Sequence, residues 1–163
     1  MVIRHREDSV RALRMESMGI TPPKDWNDVE QVREAVRQEI GAACTAAIYA
    51  GIIVGDSHYS MTEHDQTEIM AQFTAVKEGA AAVPYHADGE LCRMYPAEEF
   101  TALAQAAMEF IFSHRTYCNH LNAWIARASL KELDRITYGA SLPEDLGLHM
   151  AEVVSAAGGK SNV

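Results

Sequence analysis

The sequence has few cysteines, few positive charges and no long apolar run, and each shortage excludes a class of protein. It has three cysteines in 163 residues, an odd number without paired spacing, which argues against a disulfide framework and favours reduced thiols. Lys and Arg total 14 against 23 Asp and Glu. A net charge of −9 repels phosphate backbones, so we expect no nucleic-acid binding. The longest uncharged run, residues 40–55, is shorter than the roughly 20 residues of a membrane span.

Composition predicts one globular domain with an irregular segment at each end. Hydrophobic residues make up 48% and charged residues 23% of the chain, as is typical of folded proteins. Residues 1–24 are expected to form an N-terminal arm, because two consecutive prolines at its end break regular structure. The arm could form two strands, or a short helix capped by Ser9. Residues 25–157 then form a single domain, and the glycine-containing stretch 158–163 forms a flexible tail.

Capping residues and apolar periodicity predict several helices. Three capping boxes, in which two side chains bond each other's backbone N–H groups, are indicated at Asn27/Glu30, Thr62/Asp65 and Ser129/Glu132. The helix after Ser129 is expected to run to Tyr138. The longest helix begins after Pro96, and its apolar face extends over residues 100–128. At 1.5 Å per residue this helix spans roughly 45 Å, which makes it the predicted spine of the fold.

Two stretches have the pattern of β-hairpins. Ile52–Val54 and Ser57–Tyr59 flank a Gly-Asp pair, and the apolar segments 83–87 and 90–95 flank Asp88-Gly89. Asp-Gly between such segments is typical of a two-residue type I′ turn. Hairpins combined with helices predict an α+β protein, in which a small antiparallel sheet packs on several helices.

Histidines near the predicted hairpins are the only candidates for a chemical site. His58, His64 and His86 would approach one another if the two hairpins shared a sheet, as metal ligands or acid–base groups do. Their spacing matches no known motif, however, so we assign no catalytic residue and no cofactor. His114 and Cys118 lie four residues apart on one helical face. Since that face is apolar, a buried histidine and a buried thiol are the favoured interpretation.

Basic and aromatic residues are the candidates for partner contacts. Arg4, Arg6 and Arg11 form a local basic group in an acidic chain. Trp26 precedes the first long helix, and Tyr85 lies in the second hairpin. Such aromatic residues anchor protein interfaces or complete a core, and the sequence leaves both alternatives open.

A resemblance covers roughly residues 30–150. The segments HYSMTEHDQTEIMAQF, AAAVPYHADGELCRMYPAEEFTALAQAA, HRTYCNHLNAWI and ITYGASLPEDL resemble small uncharacterised proteins encoded in the tail-fibre and baseplate regions of phages and prophages of gut Firmicutes. Their common pattern is an S-L-T-x-x-D-Q helix start, a W-or-Y-x-x-A-D-G-E turn and a helix with histidines. Met61 replaces the usual leucine of this pattern, and Tyr85 stands where many relatives have tryptophan. Both changes keep an apolar side chain.

The resemblance implies a role in a virion or its assembly, and no enzymatic activity. The first hypothesis is a structural or adaptor protein that is made in the cytoplasm of the host bacterium and located in the virion tail. It would contact other tail proteins, as a homo-oligomer. The second hypothesis is a chaperone for tail-fibre folding that is absent from finished particles. The third is a metal-dependent hydrolase that uses the hairpin histidines.

Overall fold

A computed structural model describes residues 2–158, with side chains from residue 8 onward. The helices are α1 (Val2–Ser17), α2 (Val29–Tyr49), α3 (Glu63–Lys77), α4 (Ala97–Arg127), α5 (Leu130–Leu133) and α6 (Glu144–Ala156). The strands are β1 (Ile52–Val54), β2 (Ser57–Tyr59), β3 (Ala82–Tyr85) and β4 (Arg93–Pro96). They pair as two antiparallel two-stranded sheets, β1–β2 and β3–β4. The predicted α+β class is confirmed, with two small sheets instead of one.

The chain divides into two compact units. Unit 1 comprises Met1–Thr45 and Arg115–Val163, and unit 2 comprises Ala46–His114. Both boundaries fall inside helices, α2 and α4, so each of these helices contributes residues to both units. The four strands and α3 belong to unit 2, and α1, α5 and α6 belong to unit 1. The arm and domain boundaries expected from the sequence stay a prediction, and residues 159–163 of the expected tail lie outside the described part of the chain.

The N-terminal segment is helical, so the strand alternative is wrong. The helix alternative is right only in kind, because Ser9 lies inside a helix of 16 residues, Val2–Ser17, and does not cap it. Met15 on α1 is fully buried, and Ile20 just beyond the helix is nearly so. These buried side chains pack the segment into unit 1. Packing of one apolar face in this way supplies most of the stability of helices in proteins.

Two of the three predicted capping boxes are confirmed. In both, the hydroxyl-bearing cap, Thr62 or Ser129, accepts from the backbone N–H three residues later, and the acidic side chain there accepts from the cap's N–H. At α2 the prediction was wrong by one residue. The Asp28 carboxylate, in place of Asn27, accepts from the backbone N–H groups of Glu30 and Gln31 at 3.0 and 3.3 Å. Asn and Asp are both good caps. The direction in which the chain enters the helix decides which of the two adjacent residues caps it.

The short helix α5 ends at Leu133, five residues before the predicted end at Tyr138. In a longer helix the Leu133 carbonyl would accept from the N–H four residues later. It accepts instead from the backbone N–H of Ile136, three residues later, at 3.2 Å and from the guanidinium of Arg11 at 2.8 Å. A local turn and a long-range contact together satisfy this carbonyl where the helix ends, and the long-range contact has no local sequence signal.

The second hairpin differs from the prediction. Strand pairing stops at Tyr85↔Arg93, so residues 86–92 form a seven-residue connection. A type I′ turn needs positive φ at both central residues, but among the described residues only glycines, including Gly89, have positive φ. The backbone N–H of Asp88 donates instead to the carbonyl of His58 at 2.8 Å. The connection is therefore bound to β2, and the predicted two-residue turn was wrong.

An aromatic cluster forms much of the core of unit 2. The hydroxyl oxygens of Tyr59 and Tyr95 lie 3.0 Å apart, and the ring of Tyr85 meets that of Phe100 edge-on, with centroids 5.5 Å apart. All four side chains are buried, and burial is the main cause that raises the pKa of Tyr59 and of Tyr85. Edge-to-face aromatic pairs of this kind add to area burial, so they hold the β3–β4 hairpin against α4 within unit 2.

The long helix predicted after Pro96 is confirmed as α4, which has 31 residues. Its apolar face supplies buried residues to both units: Phe100 and Leu103 in unit 2, and Leu121 and Ile125 in unit 1. Within the described residues, no helix has the combination of length and apolar character needed to cross a membrane.

The cysteines contradict the expectation of reduced thiols. Cys44 on α2 and Cys118 on α4 form a disulfide within unit 1, across 74 residues of sequence, and Cys92 is the free, exposed cysteine. The odd number of cysteines was misleading, because one free cysteine does not prevent the other two from forming a disulfide. Sequence spacing is uninformative here, since α2 and α4 approach only in the folded chain.

Candidate interaction surface

His58 is the best-connected of the predicted site residues. It lies on β2, where its ring nitrogen Nδ1 is 2.7 Å from Asp88 Oδ2 and Nε2 is 2.6 Å from the backbone carbonyl of Ala50. Ser60 adds two hydrogen bonds to the same carboxylate, one from its hydroxyl and one from its backbone N–H. These contacts join three segments of unit 2: the end of α2, the β1–β2 hairpin and the β3–β4 connection.

The electrostatics of this cluster favour a protonated imidazole. The hydrogen bond to the Ala50 carbonyl, followed by that to Asp88, raises the pKa of His58, because both ring nitrogens can donate only in the charged form. Burial alone would raise the pKa of Asp88, but hydrogen bonds from Ser60 and His58 outweigh it and lower this pKa. The result is an ion pair that fixes local structure.

The same geometry lacks the features of a nucleophilic site. The Ser60 hydroxyl donates to Asp88, and both nitrogens of His58 bind other acceptors. Activation of a serine needs a hydrogen bond from its hydroxyl to the base. This cluster therefore stabilises the hairpins and shows no serine–histidine relay.

The other two predicted site histidines, His64 and His86, make contacts that do not involve His58. The side chain of His64 is 88% exposed and lies 3.8 Å from Glu68 on the same helix. The ring of His86 stacks on Tyr85 with centroids 5.9 Å apart. In the part of the chain that the structure describes, no three His, Cys, Asp or Glu side chains are grouped so that they could hold a metal ion. The hydrolase hypothesis therefore lacks a ligand set within these residues.

The His114–Cys118 pair also cannot act as two metal ligands while the disulfide stands, since Cys118 is bonded to Cys44. His114 is half-buried against the Phe110 ring, with centroids 4.5 Å apart, and burial lowers its pKa. These contacts support the predicted apolar surroundings of His114, whereas the predicted thiol at Cys118 is wrong because the residue is oxidised. One histidine pair was missed: His120 Nε2 lies 2.8 Å from His149 Nδ1 on α6, a contact that only the packing of α4 and α6 creates.

The predicted partner contacts are mostly part of the fold. Arg11 is 8% exposed, and its guanidinium binds Glu39 Oε2 at 2.7 Å and the carbonyls of Leu133 and Ile136. Tyr85 is 4% exposed, in the aromatic cluster. Neither side chain offers a free surface to a partner.

The remaining three candidates give little information. Trp26 is half-buried, and the side chains of Arg4 and Arg6 lie outside the described residues. The second tryptophan, Trp124, is buried, with 8% exposed.

Exposed apolar side chains occur at several places, and two of them lie close in sequence on the second hairpin. The others include Val10 and Leu13 on α1, Ile53 on β1 and Leu148 on α6. Leu91 is 91% exposed and Met94 is 58% exposed, and the free thiol of Cys92 lies between them in sequence, also exposed. Strand alternation provided a signal for Met94: if Tyr95 points into the core, its neighbour points out. Nothing in the sequence indicated that the connection would project Leu91 into solvent.

The hairpin that carries these residues is firmly held. The guanidinium of Arg93 lies 3.7 Å from the centre of the Tyr95 ring and pairs with Glu99 at the start of α4. The hydrogen bond to Glu99 is the main cause that raises the pKa of Arg93. Leu91 and Met94 therefore stand on an ordered support within unit 2. We call Leu91, Cys92 and Met94 the hairpin patch.

Unit 1 contains a pocket of about 300 Å³ beside the segment between α5 and α6. Tyr117 forms one wall, and its hydroxyl donates to the Ala140 carbonyl at 2.6 Å and accepts from the Gly139 N–H at 3.1 Å. Leu142 and Met150 supply apolar lining. The volume is at the lower end of small-molecule sites. The polar groups in its wall satisfy each other, so the pocket does not identify a ligand.

Comparison with known proteins gives one match. The model of a family described as "Domain of unknown function (DUF4376)" matches residues 31–139, more than half of the chain. Neither the curated proteins nor the solved structures include a significant match. The matched range takes in most of α2, all of unit 2 and α4. On this match, the chain belongs to the family defined by the uncharacterised domain DUF4376.

Proposed function

We propose that this protein is a non-enzymatic adaptor of a phage tail, in the tail-fibre or baseplate region, that works by protein–protein contact through the hairpin patch. The tail assignment rests on the resemblance of its sequence segments to proteins of phage tail loci. The observation that supports a contact role is the exposure of Leu91 and Met94 on an ordered hairpin. The centre of a protein interface is apolar and enriched in Met, so two apolar side chains exposed on a rigid support fit that role.

Charge around the patch suggests the kind of surface it meets. Glu90 directly precedes Leu91 and is exposed, while the charges of Asp88 and Arg93 are paired with His58 and Glu99. The rim is therefore acidic, in keeping with the net charge of −9. We infer that the partner is another tail protein, with an apolar pocket for Leu91 and a rim that carries lysine or arginine.

Ordering of the hairpin before binding favours affinity. A side chain on a rigid support loses little backbone entropy when it docks. The Tyr95–Arg93–Glu99 contacts and the aromatic cluster supply that order in the free protein. We propose in addition that the working form is a homo-oligomer, as symmetric tail components commonly require.

The experiment compares two exposed leucines in the phage whose genome carries this gene. The gene is deleted and complemented with the wild type, with Leu91→Asp, or with Leu148→Asp as matched control, since Leu148 on α6 is 61% exposed in unit 1. Mass spectrometry then measures the protein in purified particles. We expect wild-type and Leu148→Asp protein in the particles, and about tenfold or greater loss for Leu91→Asp, which is a typical effect at an interface anchor.

Two outcomes would contradict the proposal. If the deletion strain formed normal particles, and the particles of the complemented strain contained none of the wild-type protein, a tail role of either kind would be excluded. If particles lacked the protein but the deletion left tail fibres misassembled, the chaperone hypothesis would replace the adaptor. Equal incorporation of both leucine variants would keep the tail role and remove the hairpin patch from it.

A further inference from the structure

The disulfide lies at a distinctive place in the chain. Cys44 is one residue before the end of the first segment of unit 1, and Cys118 is three residues after the start of its second segment. The 74-residue separation therefore contains the whole of unit 2. The bond closes the chain at the two points where it leaves unit 1 and returns to it.

We propose that the Cys44–Cys118 bond is a redox lock, which forms after the protein has folded and tightens unit 1 when the protein meets an oxidising environment. Proteins made in a reducing cytoplasm keep their thiols reduced, and disulfides persist outside it. The inference does not rest on the proposed tail role, because it uses only the cysteines and their surroundings.

Other contacts hold the two helices in the absence of the bond. Arg33 on α2 donates to the carbonyls of Ile125 and Ala128 at the end of α4. The apolar faces of both helices are buried in unit 1, at Val36 and Leu121 among others. Cys118 itself is 6% exposed, and a reduced thiol fills such a space as a small apolar group. The reduced chain can therefore fold with the two thiols already next to each other.

Exposure indicates which thiol reacts first. Cys44 is half-buried and its neighbour Thr45 is exposed, whereas Cys118 is buried. In the proposed step the Cys44 thiolate attacks a small-molecule disulfide such as oxidised glutathione, forms a mixed disulfide and releases one glutathione thiol. The Cys118 thiolate then attacks the Cys44 sulfur and releases the second. Two protein thiols are oxidised, and one small disulfide is reduced to two thiols.

Closing this loop should stabilise unit 1 by restricting the unfolded chain, as cross-links across long stretches do. Cys92 is the internal reference, because it is exposed and unpaired and lies in unit 2. It should react freely with alkylating reagents in the reduced protein, and in excess oxidised glutathione it should carry a glutathione adduct in place of a cross-link within the protein.

The test uses full-length protein purified with reductant and then treated with oxidised glutathione. Peptide mapping should show a cross-linked peptide that contains Cys44 and Cys118, with Cys92 on a separate peptide. Oxidation should raise the melting temperature of the wild type and of Cys92→Ser by about 5–15 °C. The double variant Cys44→Ala/Cys118→Ala should show no such shift. Hydrogen exchange should slow around residues 40–45 and 115–121 more than in the β3–β4 hairpin.

Three results would overturn the lock. One is a folded protein whose Cys44 and Cys118 remain thiols in excess oxidised glutathione. Another is cross-linking of Cys92 in preference to this pair. The third is a reduced wild-type chain that lacks helical circular dichroism at 25 °C, since the bond would then be required for folding and could not follow it.

Discussion

His58 Nδ1 lies 2.7 Å from Asp88 Oδ2, and the other nitrogen of the same ring lies 2.6 Å from the Ala50 carbonyl. Only the protonated ring can donate both hydrogen bonds. This pair links the first hairpin of unit 2 to the connection of the second, and it makes the stability of unit 2 dependent on pH.

We expect the melting temperature of the protein to fall as pH rises from about 6 to 8. The pKa of His58 is raised above its ordinary value of 6.5, so its stabilising effect is fully present below 6.5 and is lost as pH rises through the folded-state pKa. Thermal melts of the wild type and His58→Gln at several pH values check this. His64→Gln is the control, because that side chain is 88% exposed. An unchanged pH dependence in His58→Gln would refute the assignment.

Asp88 gives the opposite dependence at low pH. Its lowered pKa means that its stabilising effect is present above the ordinary value of 3.8 and is lost as pH falls through the lower folded-state pKa. The contribution of the pair should therefore be largest between about pH 4 and 6.5. In Asp88→Asn the acid-side part of the profile should flatten.

Gly51→Ala should destabilise the protein much more than Gly55→Ala. Both glycines have positive φ, but a Cβ at Gly51 would lie 2.0 Å from the Tyr59 carbonyl oxygen and 2.8 Å from the Ser60 Cα, whereas at Gly55 it meets open space. Backbone strain alone costs about 1–2 kcal/mol, which we expect for Gly55→Ala. Gly51→Ala should lose at least twice that free energy of unfolding in urea titrations. Equal losses of unfolding free energy in the two variants would mean that β2 can move away from the new Cβ at position 51 without a free-energy cost.

Arg11→Ala should be among the most damaging substitutions in unit 1. It removes one partner of buried Glu39, which keeps its contact with Arg14, and it takes a hydrogen-bond donor from the carbonyls of Leu133 and Ile136. Breaking a buried pair typically costs about 3–5 kcal/mol. The control Arg37→Ala removes an exposed pair with Glu34 and should cost under about 1 kcal/mol. Similar unfolding free energies for the two variants would show that solvent replaces the buried contacts.

Tyr117→Phe should loosen the segment that follows α5. The hydroxyl holds the carbonyl of half-buried Ala140 and the N–H of exposed Gly139, and a hydrogen bond of this kind contributes about 0.5–1.5 kcal/mol. Calorimetry should show a lower melting temperature, while Tyr49→Phe, at a side chain that is 36% exposed, should be close to neutral. A neutral Tyr117→Phe would indicate that water replaces the hydroxyl in the pocket.

Local sequence signals predicted the elements better than the connections between them. The Thr62/Asp65 and Ser129/Glu132 caps and the long helix after Pro96 were readable, because each depends on residues within one helix. The Asp88-Gly89 turn was misread, since Asp88 binds β2 instead of shaping a tight turn. Among the candidate site residues, Tyr85 and Arg11 belong to cores. The type of a side chain alone does not show whether the folded protein buries it.

The sequence by itself determined the α+β class and the acidic charge, because composition and local spacing carry these properties. Only the tertiary structure decided which charges are buried, which cysteines pair and which apolar side chains remain in solvent. Arg11 meets Glu39 across 28 residues, and Cys44 meets Cys118 across 74. At such separations the partner is selected by the packing of whole helices, so only the folded chain reveals it.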